Sequence, residues 1–376
     1  MKFREIPKDL LRKVYKWKVL IENKKEFFGS SPPSIFVSSV NYPRVNVGIL
    51  AEPIIDERSF YLDYPEQWYK DGLEFEDIID LRSRLIYSFQ KFNIKRDYKF
   101  LEKFQEIAIA KNVVDIEVKL KNKPKFAFAF DKYFSPIGNP AKIERFEIQS
   151  NVKVENFVDK IINDELKAYD ATFLLYEKGL EVSKIQKIFS AGLLGIDKKF
   201  VPTRWSITAV DSIISEKLIK KIKDFEIINE IRVFYNEYLG NKFWIVLLPY
   251  VFGFEMIEFI GNKVLRDYEI FFERKEYAEN VAGGYYAARL ACCEYLEKIK
   301  RQAAVVVFRK IEKFFTIPLG VWKVRECVRD AFNKNFLKFD SLEEVKEYLK
   351  SFGINVDISK IFEIYSKQQN VLYFFK

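Results

Sequence analysis

The feature that most constrains the fold is the longest apolar run, Phe243 to Phe254, which Pro249 and Gly253 interrupt. A helix that crosses a membrane needs about 20 apolar residues, so this run is too short and too broken to form one. Short apolar runs between turn residues are typical of buried strands. Gly240 and Asn241, just before the run, predict a tight hairpin turn. The run therefore predicts buried β-structure in a soluble protein without a membrane span.

The rest of the chain predicts an α+β fold, with mixed or antiparallel sheets and packed helices. The predicted helices cover residues 9–26, 75–92, 98–111, 154–189, a segment capped by Ser206 or Thr208, 287–302, 319–332, 341–351 and 358–367. The predicted strands cover residues 113–120, 125–130, 143–149, 226–239, 242–248, 252–260, 263–272 and 303–308. Residues 168–189 resemble a helix-turn-helix with Gly179 at the turn. A helix pair packed in the core gives the same pattern and is the favoured interpretation.

Composition indicates a folded, basic protein. Hydrophobic residues make up 49% of the chain and aromatic residues 17%, which is enough apolar surface for a sizeable core. The N-terminus has no apolar segment of the signal-peptide type, so we expect a cytoplasmic location. The 63 Lys and Arg residues exceed the 54 Asp and Glu residues and give a charge of +9, which favours a polyanionic partner such as DNA. Growth at high temperature also favours a composition rich in Lys and Glu.

The chain contains no histidine, which excludes Ser-His-Asp and Cys-His catalysis and histidine-ligated zinc. Its cysteines, Cys292, Cys293 and Cys327, form no Cys-x-x-Cys pair, so no zinc site can be read. Metal chemistry would have to depend on carboxylates, which favour magnesium or manganese. The sequence therefore predicts no definite cofactor, and magnesium is the cofactor expected if the protein is a nuclease.

The last residues, QQNVLYFFK, contain a recognisable docking motif. Gln368, Val371, Phe374 and Phe375 fit the pattern Q-x-x-aliphatic-x-x-aromatic-aromatic, which is the form of a PCNA-interacting peptide. In a short 3₁₀ turn the apolar members share one side and can fill a hydrophobic pocket of the clamp. The alternative is that the tail packs on its own domain. The position at the chain end favours docking to the PCNA sliding clamp.

Two further segments are candidates for binding nucleic acid or another anion. In the first, Val201–Asp211, an arginine could contact phosphate and a tryptophan could stack on a base. In the second, two glycines precede a helix that starts with aromatic residues, and exposed amides there could meet a phosphate. The candidate residues are Thr203, Arg204, Trp205, Ser206, Gly283, Gly284, Tyr285, Tyr286 and Arg289. The alternatives are a structural corner, with Trp205 in the core and Arg204 paired to Asp211, and tight helix packing at the glycines.

A third segment is a candidate catalytic site. Asp115, Glu117 and Lys119 alternate along a predicted strand and should share one face. Two carboxylates could hold magnesium and the lysine could orient a water, as in many nucleases. Asp211 is an additional catalytic candidate. The alternative for the strand is the solvated face of an ordinary amphipathic strand.

Several of these segments together resemble the archaeal Nre family. The resemblance is carried by GSSPPSIFV and YPRVNVG near the start, and by VPTRWSITAVD and AGGYYAARL further on. It implies an Nre N-terminal domain over 29–250, an Nre C-terminal domain over 251–367 and a PCNA-interacting peptide over 368–376, after a basic N-terminal helix that the residues themselves predict within 1–28. It also implies a role in the repair of DNA damage, with PCNA and DNA as partners. Many members carry an N-terminal cysteine-rich zinc motif, which is absent here.

The expected function is therefore DNA repair by a protein that PCNA recruits and that binds nucleic acid. Two alternatives follow from the residues. One is a metal-dependent nuclease that uses Asp115, Glu117 and Lys119. The other is a repair scaffold that contacts only proteins.

Overall fold

The protein is described by a computed structural model that covers residues 8–94, 101–127, 130–272, 274–312 and 318–374, without the side chains of 8–13 and 369–374. It divides into two compact units. The first contains the described residues up to Ile213 together with Pro318–Gly320, and the second contains Ile214–Ile317 and Val321–Lys376 in their described parts. Each unit has one six-stranded sheet with helices, which confirms the predicted α+β class.

The first unit is built on a sheet in the order β1-β5-β6-β4-β3-β2, in which only the β4–β6 pair is parallel. Its strands are β1 (Glu26–Ser31), β2 (Ile35–Val37), β3 (Arg44–Ala51), β4 (Ile86–Asn93), β5 (Val114–Leu120) and β6 (Asn139–Ile148). Its helices are α1 (Lys8–Glu22), α2 (Pro65–Lys70), α3 (Phe75–Ser83), α4 (Glu102–Ile109), α5 (Asn156–Ile162), α6 (Ala168–Glu177), α7 (Val182–Ser190) and the start of α8 (Thr203–Ile222), with a 3₁₀ helix over Glu57–Asp63. Alternation of apolar and polar residues along β5 buries every second side chain, which is why this segment forms a strand with one solvated face.

The second unit has a sheet in the order β10-β9-β11-β8-β7-β12, in which only the β9–β11 pair is parallel. Its strands are β7 (Ile231–Tyr238), β8 (Asn241–Leu248), β9 (Gly253–Ile260), β10 (Lys263–Ile270), β11 (Ala304–Ile311) and β12 (Leu337–Phe339). Its helices are α9 (Gly283–Ile299), α10 (Trp322–Ala331), α11 (Leu342–Ser351) and α12 (Lys360–Phe374). The apolar run of the sequence forms β8 and the start of β9, and the predicted boundary at residues 250/251 lies between these two strands.

Three local predictions were wrong. The helix predicted over 75–92 ends at Ser83, because the following residues pair as β4 with both β3 and β6. The described part of 125–130 forms no strand. In the hairpin between β7 and β8, the two residues with positive φ are Leu239 and Gly240, so Asn241 already belongs to β8. The first error arose because pairing between strands that are distant in sequence overrode the helical pattern. The error in the hairpin arose because the turn geometry placed the two turn residues one position earlier than predicted.

The segment 168–189 forms two helices, α6 and α7, joined by a turn at Gly179, whose φ of 84° requires glycine. The buried apolar residues of α7 are Val182, Ile185 and Ile188. These residues recur every three positions, which places them on one side of the helix. The arrangement is a packed helix pair within the first unit.

Among the helices of the described ranges, none combines the length and the hydropathy that a membrane span requires.

Candidate nucleic-acid interface

The segment Val201–Asp211 starts helix α8, and the start lies earlier than predicted. Thr203 is the first helical residue, and the carbonyl oxygen of Pro202 accepts hydrogen bonds from the amides of Trp205 and Ser206, at 2.8 and 3.0 Å. The predicted N-caps were therefore wrong. Ser206 Oγ lies inside the first turn and donates to the carbonyl of Thr203 at 2.9 Å. A proline just before a helix fixes φ in the helical range, which explains the early start.

Thr203 fixes this helix start to two other elements of the first unit. Its Oγ1 accepts a hydrogen bond from the amide of Val37, at the end of β2, at 2.9 Å. The same oxygen lies 3.0 Å from Ser190 Oγ, at the end of α7, and Ser190 Oγ in turn donates to Val201 O at 2.8 Å. The GSSPPSIFV and VPTRWSITAVD segments are thus held together by a partly buried polar contact.

The two residues that follow Thr203 each contact a tyrosine, Arg204 the ring of Tyr133 and Trp205 the ring of Tyr42. We call these four residues the aromatic platform. The rings of Tyr42 and Trp205 lie 5.0 Å apart at an angle of 52°, and each of these residues is 45% exposed. The guanidinium carbon of Arg204 lies 4.1 Å from the centre of the buried Tyr133 ring. Arg204 itself is exposed, and one side of its guanidinium rests on an aromatic ring.

The turn that carries Tyr42 explains its position. Asn41 has a φ of 64°, and its carbonyl accepts a hydrogen bond from the amide of Arg44 at 2.9 Å. This tight turn, at the start of β3, projects Tyr42 from the sheet. Arg44 and Lys132, which lie next to platform residues in the sequence, are both exposed. The platform therefore combines aromatic surface with neighbouring positive charge, and it contains Tyr42 and Tyr133, which the sequence did not identify.

Asp211 lies far from solvent. It is completely buried, and its carboxylate accepts a hydrogen bond from Gln186 Nε2 of α7 at 3.0 Å. Its position fits a structural contact between α7 and α8 in the first unit. Trp205, in contrast, is half exposed. The structural-corner alternative placed Trp205 in the core, so this part of the alternative was wrong.

The glycine-aromatic segment 282–290 is enclosed in the second unit. Gly283 and Gly284 start α9, and a side chain on Gly284 would come within 3.0 Å of Glu258 Oε1. Tyr285 and Tyr286 are buried, and the ring of Tyr285 packs edge-on against Phe254 at 5.0 Å.

The arginine of the same segment is also internal. Both oxygens of Glu269 accept hydrogen bonds from Arg289 Nη1, at 3.0 and 2.9 Å, and Ser215 Oγ accepts from its Nε at 3.1 Å. Burial lowers the pKa of Arg289, but the charge of Glu269 outweighs that effect and raises it above the usual range. These contacts are the ones expected of close helix packing.

The three polar residues of β5 share one face, as predicted, and each has neighbours there. Asp115 Oδ1 accepts from Ser30 Oγ at 2.7 Å, and Glu117 Oε2 accepts from Gln149 Nε2 at 3.2 Å. Lys119 Nζ lies 3.3 Å from Glu144 and 3.6 Å from Glu26. Within the described ranges, no three acidic, cysteine or histidine side chains are grouped so that they could hold a metal ion.

The C-terminal peptide begins at Gln368, whose side chain is exposed on helix α12. The helical backbone continues through Val371 to Phe374. The side chains of Val371 and Phe374 lie outside the described residues, as does the whole of Phe375. Docking of this peptide to PCNA therefore stays a prediction.

Two α+β units, one with an exposed aromatic platform, define the chain as a two-domain protein with a candidate nucleic-acid interface. Residues 8–265 match the family described as "Archaeal Nre, N-terminal", and residues 269–371 match "Archaeal Nre, C-terminal". The chain belongs to the archaeal Nre family, which confirms the resemblance noted in the sequence.

Similar proteins cover most of the chain. It is 35% identical to the DNA repair protein NreB of Archaeoglobus fulgidus, over 90% of this chain and 88% of the relative. It is 36% identical to NreA of the same organism, over 84% and 82% of the two chains, and 33% identical to NreA of Haloferax volcanii, over 86% and 83%. Both NreA proteins are also named DNA repair proteins, so these relatives support a role in DNA repair. No solved structure gives a significant match.

Proposed function

We propose that this protein acts in DNA repair by binding single-stranded or locally unpaired DNA on the aromatic platform, and that PCNA recruits it through the C-terminal peptide. The observation that carries the DNA-binding part is the pair of half-exposed rings, Tyr42 and Trp205, beside the exposed Arg204. Unpaired bases stack on such rings, and each stacked base contributes about 1–3 kcal/mol. Cations beside the rings attract the phosphates that connect the bases.

The platform also has the rigidity that a binding surface needs. The hydrogen bonds of Thr203 to Val37 and to Ser190 fix the helix start that carries Trp205. The tight turn at Asn41 fixes Tyr42 on the adjoining loop. Side chains held by the fold lose little conformational freedom when they bind a ligand. Binding by stacking requires no particular base, which suits a repair protein that meets many sequences.

The DNA-binding proposal is tested by fluorescence anisotropy of a labelled single-stranded oligonucleotide at several salt concentrations. We expect Trp205→Ala to weaken binding by about 5- to 150-fold, which corresponds to the loss of one stacked base. Phe28→Ala is the matched control, because Phe28 is 59% exposed on β1 of the same unit and lies outside the platform. Equal effects of the two variants would contradict the proposal. Cleavage that needs magnesium and disappears in Glu117→Ala would instead favour the nuclease alternative.

The recruitment proposal is tested by calorimetric titration of the full-length protein into archaeal PCNA. Phe374→Ala/Phe375→Ala should abolish saturable binding, because the two rings would fill the hydrophobic pocket of the clamp. Lys367→Ala is the control, since it removes an exposed charge directly before the motif and leaves the motif intact. Binding that survives in the double variant would exclude this peptide as the docking element.

A further inference from the structure

The first unit contains an open cavity of about 530 Å³, which we call the lysine pocket. Its walls come from five parts of the chain: the loop between β1 and β2, the 3₁₀ helix and the residue after it, the end of α4 with the loop after it, helix α5 with the residue before it, and helix α7 with the turn before it. Lys111, Lys178, Lys184 and Lys187 line it, together with the rings of Phe60, Tyr64 and Phe157. Cavities that bind small molecules commonly have volumes of about 300–1,000 Å³.

One wall of the pocket contains an ion cluster centred on Asp63. Its carboxylate lies 2.7 Å from Arg82 Nη1 and 3.0 Å from Lys187 Nζ, and Ser34 Oγ donates to it as well. Burial opposes ionisation of Asp63, but Lys187 and Arg82 outweigh it and hold the pKa of Asp63 well below the usual range. One carboxylate therefore faces two cations, which leaves the cluster with a net positive charge.

Lys184 adds an amine that has no carboxylate partner among the described residues. Its Nζ donates to the carbonyl of Ala110 at 2.6 Å, and within the described residues it forms no ion pair. Burial, and then the neighbouring Lys187, lower the pKa of Lys184 well below its ordinary range, although Glu155 and Asp63 act in the opposite direction. A partly enclosed amine of this kind gains stability when an anion enters the cavity beside it.

The remaining charges of the pocket do not cancel this excess. Lys111 lies 3.6 Å from Glu155, so these two residues form a pair. Lys178 has no ion pair among the residues that the structure describes. Burial raises the pKa of Glu181, the other lining carboxylate, and Tyr64 donates a hydrogen bond to it at 2.5 Å. The cavity therefore presents more positive than negative charge next to aromatic rings.

We propose that the lysine pocket binds a nucleotide, with its phosphate near Lys184 and Lys187 and its base against the aromatic lining. A phosphate can accept a hydrogen bond from the Lys184 amine, which has no carboxylate partner among the described residues, and a planar base can stack on the aromatic rings. The nucleotide can be a free mononucleotide or one nucleotide of a DNA strand. The pocket is a separate site from the aromatic platform, so this proposal does not depend on DNA binding there.

The proposal is tested by calorimetric titration of the full-length protein with deoxyadenosine monophosphate, deoxyadenosine and inorganic phosphate. We expect saturable binding of the nucleotide and weaker binding of its two parts. Lys184→Met keeps the length of the side chain and should weaken binding by about tenfold or more, because a charged hydrogen bond is lost. Lys160→Met is the matched control, since Lys160 is an exposed lysine on α5 that does not line the pocket.

A second readout separates a direct role of Lys184 from a structural one. Because the pKa of Lys184 is lowered in the empty pocket, an anion should make this amine take up a proton. Titrations in two buffers of different ionisation enthalpy, repeated over a range of pH, should therefore show proton uptake on binding, and Lys184→Met should abolish it.

Failures at the two sites can be told apart with Trp205→Ala. This variant should bind the nucleotide as the native protein does, even when its affinity for DNA falls. Displacement of the nucleotide by a short oligonucleotide in Trp205→Ala would identify a DNA strand as the source, whereas no displacement would identify a free nucleotide. No binding by the native protein, equal affinity for phosphate and nucleotide, or equal loss in Lys160→Met would each overturn the proposal.

Discussion

In Val201–Asp211 an arginine and a tryptophan lie at the surface of the first unit, whereas in Ala282–Leu290 two tyrosines and an arginine are enclosed in the second. Arg204 rests on the ring of Tyr133 and remains exposed to solvent. Arg289 is 2% exposed and makes two hydrogen bonds to Glu269. Both segments contain the residue types that bind nucleic acids, but of the two only the first exposes them at the surface.

The difference teaches that the surroundings of an arginine decide its role. A buried arginine is retained only when a carboxylate and other acceptors compensate for its desolvation. Once Glu269 and Ser215 provide this compensation, Arg289 stabilises the packing of α9. An exposed arginine on a ring keeps its charge in solvent and can exchange water for phosphate. The following variants test this contrast, from the largest expected effect to the smallest.

Glu269→Ala should have the largest effect, on stability alone. It leaves the charge of Arg289 buried and uncompensated, and we expect the free energy of unfolding to fall by about 3–5 kcal/mol. Urea unfolding followed by circular dichroism measures this loss. Glu297→Ala is the control, because it breaks an exposed pair with Lys300 and should change stability by about 0.5 kcal/mol or less. A small loss in Glu269→Ala would show that Arg289 reaches solvent, and the contrast between the segments would fail.

Lys323→Met tests whether the polar groups beside Gly284 lie in a dry interior. Lys323 is 6% exposed, and burial, followed by the charge of Arg309, lowers its pKa to about 7, against the opposing charge of Glu258. The unfolded chain has the higher pKa, about 10.4, so between the two values it binds more protons and stability rises with pH. We expect native stability, relative to the variant, to rise by about 2 kcal/mol between about pH 7 and about pH 9.

The measurement is the difference in unfolding free energy between native protein and variant at the two pH values. Lys160→Met serves as the control, since an exposed lysine should show no such difference. If the unfolding free energies of Lys323→Met and the native protein change with pH in parallel, solvent reaches this amine. The interior of the second unit would then be more open than the contacts indicate.

Much of the fold was predictable because local signals agreed with the sheet. The alternation along β5 and the apolar run at β8 placed these strands within one or two residues. The error at β4 had a different cause, since helical periodicity continued past Ser83 while pairing with β3 and β6 determined the structure. Pairing between distant segments is not visible in a local pattern.

The candidate sites were less predictable. The spacing within VPTRWSITAVD identified Arg204 and Trp205, but Tyr42 and Tyr133 lie far away in sequence and join them only in the fold. The lysine pocket was missed for the same reason, because Lys187 meets Asp63 across 124 residues. One local signal existed. Lys184 and Lys187 are three residues apart on α7 and interleave with its buried residues, which could have indicated a polar face toward a cavity.

Trp205→Ala should have the smallest effect on stability and so complete the contrast. Trp205 is 45% exposed, and its ring contact is with a tyrosine that is equally exposed, so its removal should cost about 1 kcal/mol or less. The same urea unfolding experiment measures this, with Phe28→Ala as the exposed aromatic control. A loss comparable to that of Glu269→Ala would mean that Trp205 stabilises the start of α8, as in the structural-corner alternative. A small loss of unfolding free energy together with weaker DNA binding would indicate that Trp205 lies at the surface to bind DNA and not to stabilise the fold.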